Sequence, residues 1–293
     1  MFSNLIRTLG ARPVAPQLVT VIFLSVLTFV FAFARAETNA VPAWGEGRLN
    51  GGTKHFDAAE AYSYQARWNG IPVATAEVQG APRWIEGKKF YHVEIQAKTM
   101  SVLDYLWRMR DTIVSTFDPK TLQPHRFVFL QRENRRNTDT TAVFDQDKNK
   151  WFVQRQKGSK IDRFDFTSTS TLDPITAVYI LRRIDFKVGD RLQFDVFGGK
   201  SRYLLTFDIA GRERITLNTG SVDTYKIIPQ IRNVTKEGYA ERMRQATVWV
   251  SADEKRIPVR MVSKVFVGNV NLELVKESPV LKKASAAKPE KDS

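Results

Sequence analysis

The sequence predicts a mainly β protein: a large antiparallel sheet curved into a barrel or half-barrel, with one central buried helix. Three observations carry this. From Phe56 to Leu274, apolar and polar residues alternate in segment after segment, the period-two spacing of half-buried strands. Short turns rich in Asn, Asp and Gly separate the segments, so that neighbours in sequence pair as hairpins. Only the stretch from Leu172 to Arg183, LDPITAVYILRR, has convincing helical spacing. A meander of about a dozen strands must curl or split, and a β-sandwich with the helix across one end is the alternative architecture.

The helix is the element that the rest must wrap. Asp173 can cap its first turn, Pro174 suits the first helical position, and Arg182 and Arg183 lie at the negative end of the dipole. Ile175, Val178, Tyr179 and Arg182 share one face, while Ala177, Ile180 and Leu181 leave little polar circumference. A helix of about ten residues is marginal alone in water. Covering five large apolar side chains, at roughly 1.5–3 kcal/mol each, is enough to dock it on a sheet. As a cap alone, Asp173 is worth roughly 1 kcal/mol against Ala.

Taken from its beginning, the chain opens with an export signal. Arg7 and Arg12 precede the apolar run Leu18 to Phe33, and Ala34, Arg35, Ala36 form a small-residue cleavage pattern, so residues 1–36 are expected to be removed. The alternative is a retained inner-membrane anchor facing the periplasm, against which the run is short for a span. Residues 37–55 form a Gly- and Asn-rich N-terminal arm, 56–278 a single β-rich domain, and 279–293 a tail without large apolar residues beyond Leu281. Cysteine is absent, which excludes disulfides and a lipid-modified Cys. The formal charge is +14, and loss of residues 1–36 removes three arginines and no acid. Such a basic excess in the periplasm points to anionic lipid or an anionic envelope polymer and to peripheral membrane contact; nucleic acid does not fit the compartment.

Within the domain, Tyr62, Tyr64, Ala66 and Trp68 alternate inward, and Asn69 with Gly70 supply a tight type I′ hairpin returning through Ile71, Val73 and Thr75. Tyr91, Val93, Ile95 and Ala97 mark a third strand. A short turn or helix at Ser101–Arg108 leads into a strand ending at Phe117, and HRFVFLQR after Pro124 is apolar on both sides. Thr138–Phe144 and Trp151–Gln156 form a hairpin, and Phe164–Thr171 leads to the helix. Beyond it come Leu192–Val196, Tyr203–Ile209, Ile215–Ile231 with Pro229 at an edge or bulge, Thr247–Ser251, Pro258–Val267 and Val270–Leu274.

The residues offer little chemistry and more binding. His55, His92 and His125 fall in separate segments without a metal-ligand spacing, and there is no nucleophile elbow, thiol or phosphate loop. A carboxylate pair such as Glu60 with Asp111 can be assembled only by imagining the fold. Nothing calls for a cofactor or a metal, and the balance is against an enzyme, a hydrolase with scattered residues being the third functional reading. The inward aromatic faces, among them Tyr62, Tyr64, Trp68 and Phe129, with Val178 and Tyr179 of the helix, could line a hydrophobic cavity, or simply fill the core. Arg126, Arg132, Arg135 and Arg136, with Arg108 and Arg110 one strand earlier, form a basic cluster. At a cavity mouth, Arg126 and Arg135 would suit phosphate or carboxylate head groups. The ligand-binding candidates are therefore Tyr62, Tyr64, Trp68, Phe129, Val178, Tyr179, Arg126 and Arg135.

The segment YQARWNGIP from Tyr64 to Pro72, the helix DPITAVYILRR, the turn Gly189–Asp190 and VWVSADEKRIPVRM from Val248 to Met261 occur in an order that resembles the domain-of-unknown-function 3108 family of exported bacterial proteins. The resemblance spans about residues 56–275. It implies an envelope-associated, mainly β domain and carries over no catalytic residue. A looser likeness in architecture to periplasmic lipoprotein carriers suggests a lipid-binding concavity. The leading expectation is a non-enzymatic envelope protein that binds a lipid or other amphipathic ligand, and the alternative is an assembly or protein-interaction factor with a solid core.

Overall fold

The computed structural model describes residues 56–134, 136–234, 246–265 and 268–278. The export segment 1–36, the arm 37–55, the tail 279–293 and Arg135 lie outside them.

Eight strands run as consecutive antiparallel hairpins: β1 (Glu60–Trp68), β2 (Ile71–Ile85), β3 (Lys88–Thr99), β4 (Arg110–Phe117), β5 (Pro124–Glu133), β6 (Arg136–Asp145), β7 (Lys150–Lys157) and β8 (Lys160–Thr167). Then come β9 (Thr171–Leu172), the helix α1 (Pro174–Arg183) and a second meander: β10 (Arg191–Phe197), β11 (Arg202–Leu217), β12 (Gly220–Asn233), β13 (Ala246–Ser251), β14 (Pro258–Lys264) and β15 (Asn269–Ser278). β1 pairs with β15, which splices the two meanders into one 15-stranded sheet ordered β8 to β1, then β15 to β9. The architecture is thus the curved sheet with one buried helix, and the sandwich is not formed.

The turns follow from the residues. Asn69 and Gly70 both adopt positive φ, 46° and 86°, as a type I′ turn requires, and Glu86 with Gly87 repeat that geometry between β2 and β3. Register breaks at Ser63/Tyr64, Ala66/Arg67, Thr116/Phe117, Ile209/Gly211 and Trp249/Val250 add local twist and bend the sheet around α1. β11 runs on through its break to Leu217, where the sequence suggested two strands. Pro229 pairs with Phe207 of β11 but lies just past Ile227, the last residue of β12 paired with β13, where no donor is needed.

One pairing departs from the antiparallel expectation. β9 and β10 are parallel, and α1 is the crossover between them, the kind of connection that a parallel pair needs. β8 and β9, the two edges of the sheet, are separated only by residues 168–170 in sequence, yet no ladder joins them among the described residues. Side chains close the gap instead. The Phe197 ring lies 5.1 Å from that of Phe166 and 6.1 Å from that of Trp151, and the Arg202 guanidinium sits 5.4 Å over Phe166 while pairing with the buried Asp195.

The two faces of α1 meet different surroundings. Thr176, Ala177 and Ile180 are fully buried, and Thr176 shares a hydrogen-bond network with Ser115 of β4. The β4–β7 side of the hollow is filled by Phe117, Phe127, Phe129, Phe144 and Trp151. Near the end of α1, Tyr179 packs with Phe56, Tyr91 and Phe117 at centroid distances of 4.8–5.8 Å. Gly80 of β2 makes this cluster possible, because a Cβ there would come within 2.7 Å of the Tyr91 hydroxyl oxygen and 3.1 Å of that of Tyr179. Gly80→Ala is expected to destabilise the fold by about 1–3 kcal/mol, seen as a lower urea midpoint at an unchanged slope.

Candidate functional site

On its other face α1 does not meet a filled core. Ile175, Val178, Tyr179 and Arg182, the face anticipated from their spacing, border a cavity of about 240 Å³. Its opposite wall comes from both meanders: Tyr62 and Tyr64 of β1, Val78 of β2, Ile95 of β3, Leu205 and Phe207 of β11, Val248 of β13 and Leu272 of β15 among others. From β2 only the short apolar side chains of Ala76 and Val78 reach in. Val178 is half-buried in mid-helix because it faces this space.

The wall is apolar, and the polar side chains in it are already partnered. Glu60, at the start of β1, receives four hydrogen bonds: from Arg182 Nη1 at 2.7 Å and Nη2 at 2.8 Å, from the Tyr62 hydroxyl at 2.8 Å and from the Tyr179 hydroxyl. Arg182 Nε donates to the Lys255 carbonyl at 3.1 Å, and its guanidinium lies 4.7 Å from the Tyr179 ring centre. Arg260 is paired with Glu273 at 2.8 Å, and the Tyr64 hydroxyl donates to the Pro258 carbonyl at 2.9 Å. Burial pushes the Glu60 carboxyl up, but the hydrogen bonds and charge of Arg182, aided by Tyr179 and Tyr62, outweigh it and hold the group below its ordinary value. Burial likewise resists the charge on Arg182, and Glu60 overcomes it, so the arginine is raised. Burial and the Glu60 charge raise Tyr62, and burial raises Tyr64. The result is an apolar, charge-compensated room.

Four of the eight candidate residues, Tyr62, Tyr64, Val178 and Tyr179, are brought together here. The other described candidates lie elsewhere. Trp68 packs near the β1–β2 turn against a second apolar cluster, and Phe129 is buried in the filled half. Arg126 is exposed on β5, on the side away from its inward neighbours Phe127 and Phe129, and Arg135 falls outside the described residues. Glu60 does not form a pair with Asp111, because it is committed to Arg182. Asp111 accepts from the Arg132 backbone N–H, and burial raises its carboxyl to about 6. Among the described residues no group of three or more His, Asp or Glu could hold a metal ion.

The Glu60–Arg182 clasp escaped sequence reasoning, although a signal for it existed. Residues 60, 62 and 64 share the inward face, and a carboxylate in phase with two buried tyrosines requires a buried partner. Ala76, Met261 and Leu272 were missed because nothing separates a cavity wall from a core strand in sequence.

A profile of the family described as Protein of unknown function (DUF3108) matches residues 63–275. No curated protein matches the chain. Among solved structures, the beta-barrel-like protein of domain of unknown function DUF1849 from Brucella abortus aligns with a TM-score of 0.50 at 9% identity, over 76% of this chain and 98% of that one. A chain described as a "putative lipoprotein" from Parabacteroides distasonis aligns with a TM-score of 0.31 at 10% identity, over 78% of this chain and 100% of that one. The first likeness is one of fold.

Proposed function

This chain belongs to the DUF3108 family, and from that premise we propose that it is a non-enzymatic protein of the cell envelope that holds the apolar part of a lipid or other amphipathic ligand beside α1. The observation that carries this reading is the apolar cavity of about 240 Å³ in the concave face. An apolar cavity of about 150 Å³ takes up benzene, so the space here suits an acyl segment. A whole lipid would need more room, and its head group would stay outside. The export pattern of residues 1–36 supports a periplasmic address.

Charge compensation narrows the ligand further. With Arg182 neutralised by Glu60 and Arg260 by Glu273, the wall offers no counter-ion to a carboxylate or phosphate. Affinity is then set by apolar burial, about 0.8 kcal/mol for each methylene, which corresponds to about a fourfold gain per carbon until the cavity is full. Calorimetric titration with straight-chain alcohols and the matching free acids should show this climb and then a plateau, with the alcohols bound at least as well as the acids. Native mass spectrometry of protein isolated from its own envelope should detect the bound ligand. Val178→Trp, which fills the space from the helix side, should cut binding at least tenfold while the thermal midpoint holds or rises. A protein that is always isolated empty, and that binds no alcohol of any length, would rule the reading out.

A further inference from the structure

The described arginines of the basic cluster do not line the cavity, and the surroundings of those near the β3–β4 turn indicate another role. The turn between β3 and β4 exposes three large apolar side chains in one short stretch: Val102 is 76% exposed, Tyr105 96% and Leu106 61%. This turn is firmly built. Met100 N–H donates to the Val73 carbonyl at 2.9 Å, Leu103 N–H to Met100 at 2.8 Å, and Leu106 and Trp107 N–H both to Leu103 at 2.9 and 2.8 Å. Trp107 is buried beneath it, and Asp104 is tied down by Arg110 and by the Thr99 hydroxyl at 2.7 Å. Side chains that could fold back over the protein are instead held outward, at a cost in exposed apolar surface that calls for a partner.

Charge identifies that partner. The tip of the β5–β6 hairpin is bonded to the same turn, with Asn134 N–H donating to the Arg108 carbonyl at 2.7 Å and Arg108 N–H donating to Asn134 Oδ1 at 2.9 Å. Arg108 in this turn is exposed, as are Lys98 at the end of β3 and Arg136 at the start of β6. Arg110 and Arg132 are neutralised by Asp104 and Asp139, whereas Lys98, Arg108 and Arg136 have no ion pair among the described residues. A compact apolar tip, with a tyrosine in it and exposed cations outside any ion pair near it, is complementary to an anionic bilayer surface. The apolar residues enter the head-group boundary, tyrosine suits the interface, and the cations meet lipid phosphates.

We propose that the β3–β4 turn, with the adjoining β5–β6 hairpin tip, is a docking site for an anionic lipid bilayer. Because the proposal rests on the surface and not on the cavity, either can fail without the other. The test is co-sedimentation of the protein, in the form that accumulates in its own envelope, with vesicles of phosphatidylglycerol and phosphatidylcholine or of phosphatidylcholine alone. All variants are prepared in that same form, so the N-terminus is common to them. Wild type should sediment with the anionic vesicles, weakly with the neutral ones, and less as salt rises. V102S/Y105S/L106S should lose at least tenfold in partitioning at an unchanged thermal midpoint, since these side chains support no packing. R108E/R136E should lose as much on anionic vesicles and nothing on neutral ones. Absence of binding to anionic vesicles by wild type overturns the proposal, as does equal binding by the triple variant. So does loss of a crosslinked protein partner from the triple variant while its vesicle binding is unchanged, which would make the turn a protein interface.

Discussion

Glu60→Ala is expected to lower the free energy of unfolding by about 3–5 kcal/mol, because it leaves a buried arginine without its counter-ion. Arg182 would retain the Lys255 carbonyl and the aromatic rings around it, which do not neutralise a charge, and the hydroxyls of Tyr62 and Tyr179 would lose their acceptor. Urea unfolding at pH 7 measures the loss. The replacement that separates charge from packing is the double variant Glu60→Leu with Arg182→Leu, which should recover most of the stability, since exchanging a buried ion pair for apolar residues of similar volume is often neutral or better. The wall would then lose the Arg182 charge, and alcohols should bind at least as tightly as to wild type. The acid limb supplies an independent check. The Glu60 carboxyl in the fold lies below its ordinary value of 4.5, so its stabilisation is complete above that value and is lost as pH falls through the depressed one. The double variant lacks this group, and its stability should fall less on acidification. Should Glu60→Ala unfold at the wild-type urea midpoint, the clasp would not be what holds the end of α1 against β1.

Much of this arrangement could be read in the sequence, and the reasons it could are local. Asn69–Gly70 specifies its turn through two positive φ values, and Asp173–Pro174 specifies the start of α1 through a cap and a ring-fixed φ. The cavity-facing stripe of α1 followed from 3.6-residue spacing alone. What could not be read depends on contacts between distant segments. Glu60 and Arg182 are 122 positions apart, and β9 is two residues long, too short for a period to reveal its parallel pairing with β10. Whether Tyr62 and Phe129 face a hollow or a filled core is decided by what the far side of the sheet contributes, which neither strand's own pattern records. The arginines divide for a similar reason. Arg126 lies on the outer side of β5, Arg132 is claimed by Asp139 one strand over, and Arg108 is tied to the tip of the β5–β6 hairpin only through Asn134.

The second large effect belongs to Asp173, which the sequence marks as a cap worth roughly 1 kcal/mol and the structure makes the anchor of α1. Its carboxylate is fully buried and accepts from the N–H groups of Ile175 and Thr176 at 2.9 and 3.0 Å, from the Ser115 hydroxyl at 2.8 Å and from the Thr176 hydroxyl. Asp173→Ala therefore removes the cap and also strands buried hydroxyls, each of which costs about 1–3 kcal/mol when unsatisfied, so a total loss of about 3 kcal/mol is expected in urea unfolding. Asp173→Asn should behave differently. Its carbonyl oxygen can still cap the helix, and the hydroxyls can rotate to accept from its amide, which predicts a loss below about 1 kcal/mol. Burial raises the Asp173 carboxyl above its ordinary 3.8, more than its hydrogen bonds lower it, so the folded state holds the proton longer than the unfolded chain does. Its contribution to stability accordingly declines as pH climbs from 3.8 through the raised value, the opposite sign to Glu60. Asparagine has no proton to lose, so the stability of Asp173→Asn relative to wild type should improve steadily as pH rises through that window. A constant difference at every pH would mean that the Asp173 carboxyl titrates in the fold as it does in the unfolded chain, and a difference of the opposite sign would mean that its four donors hold it below 3.8.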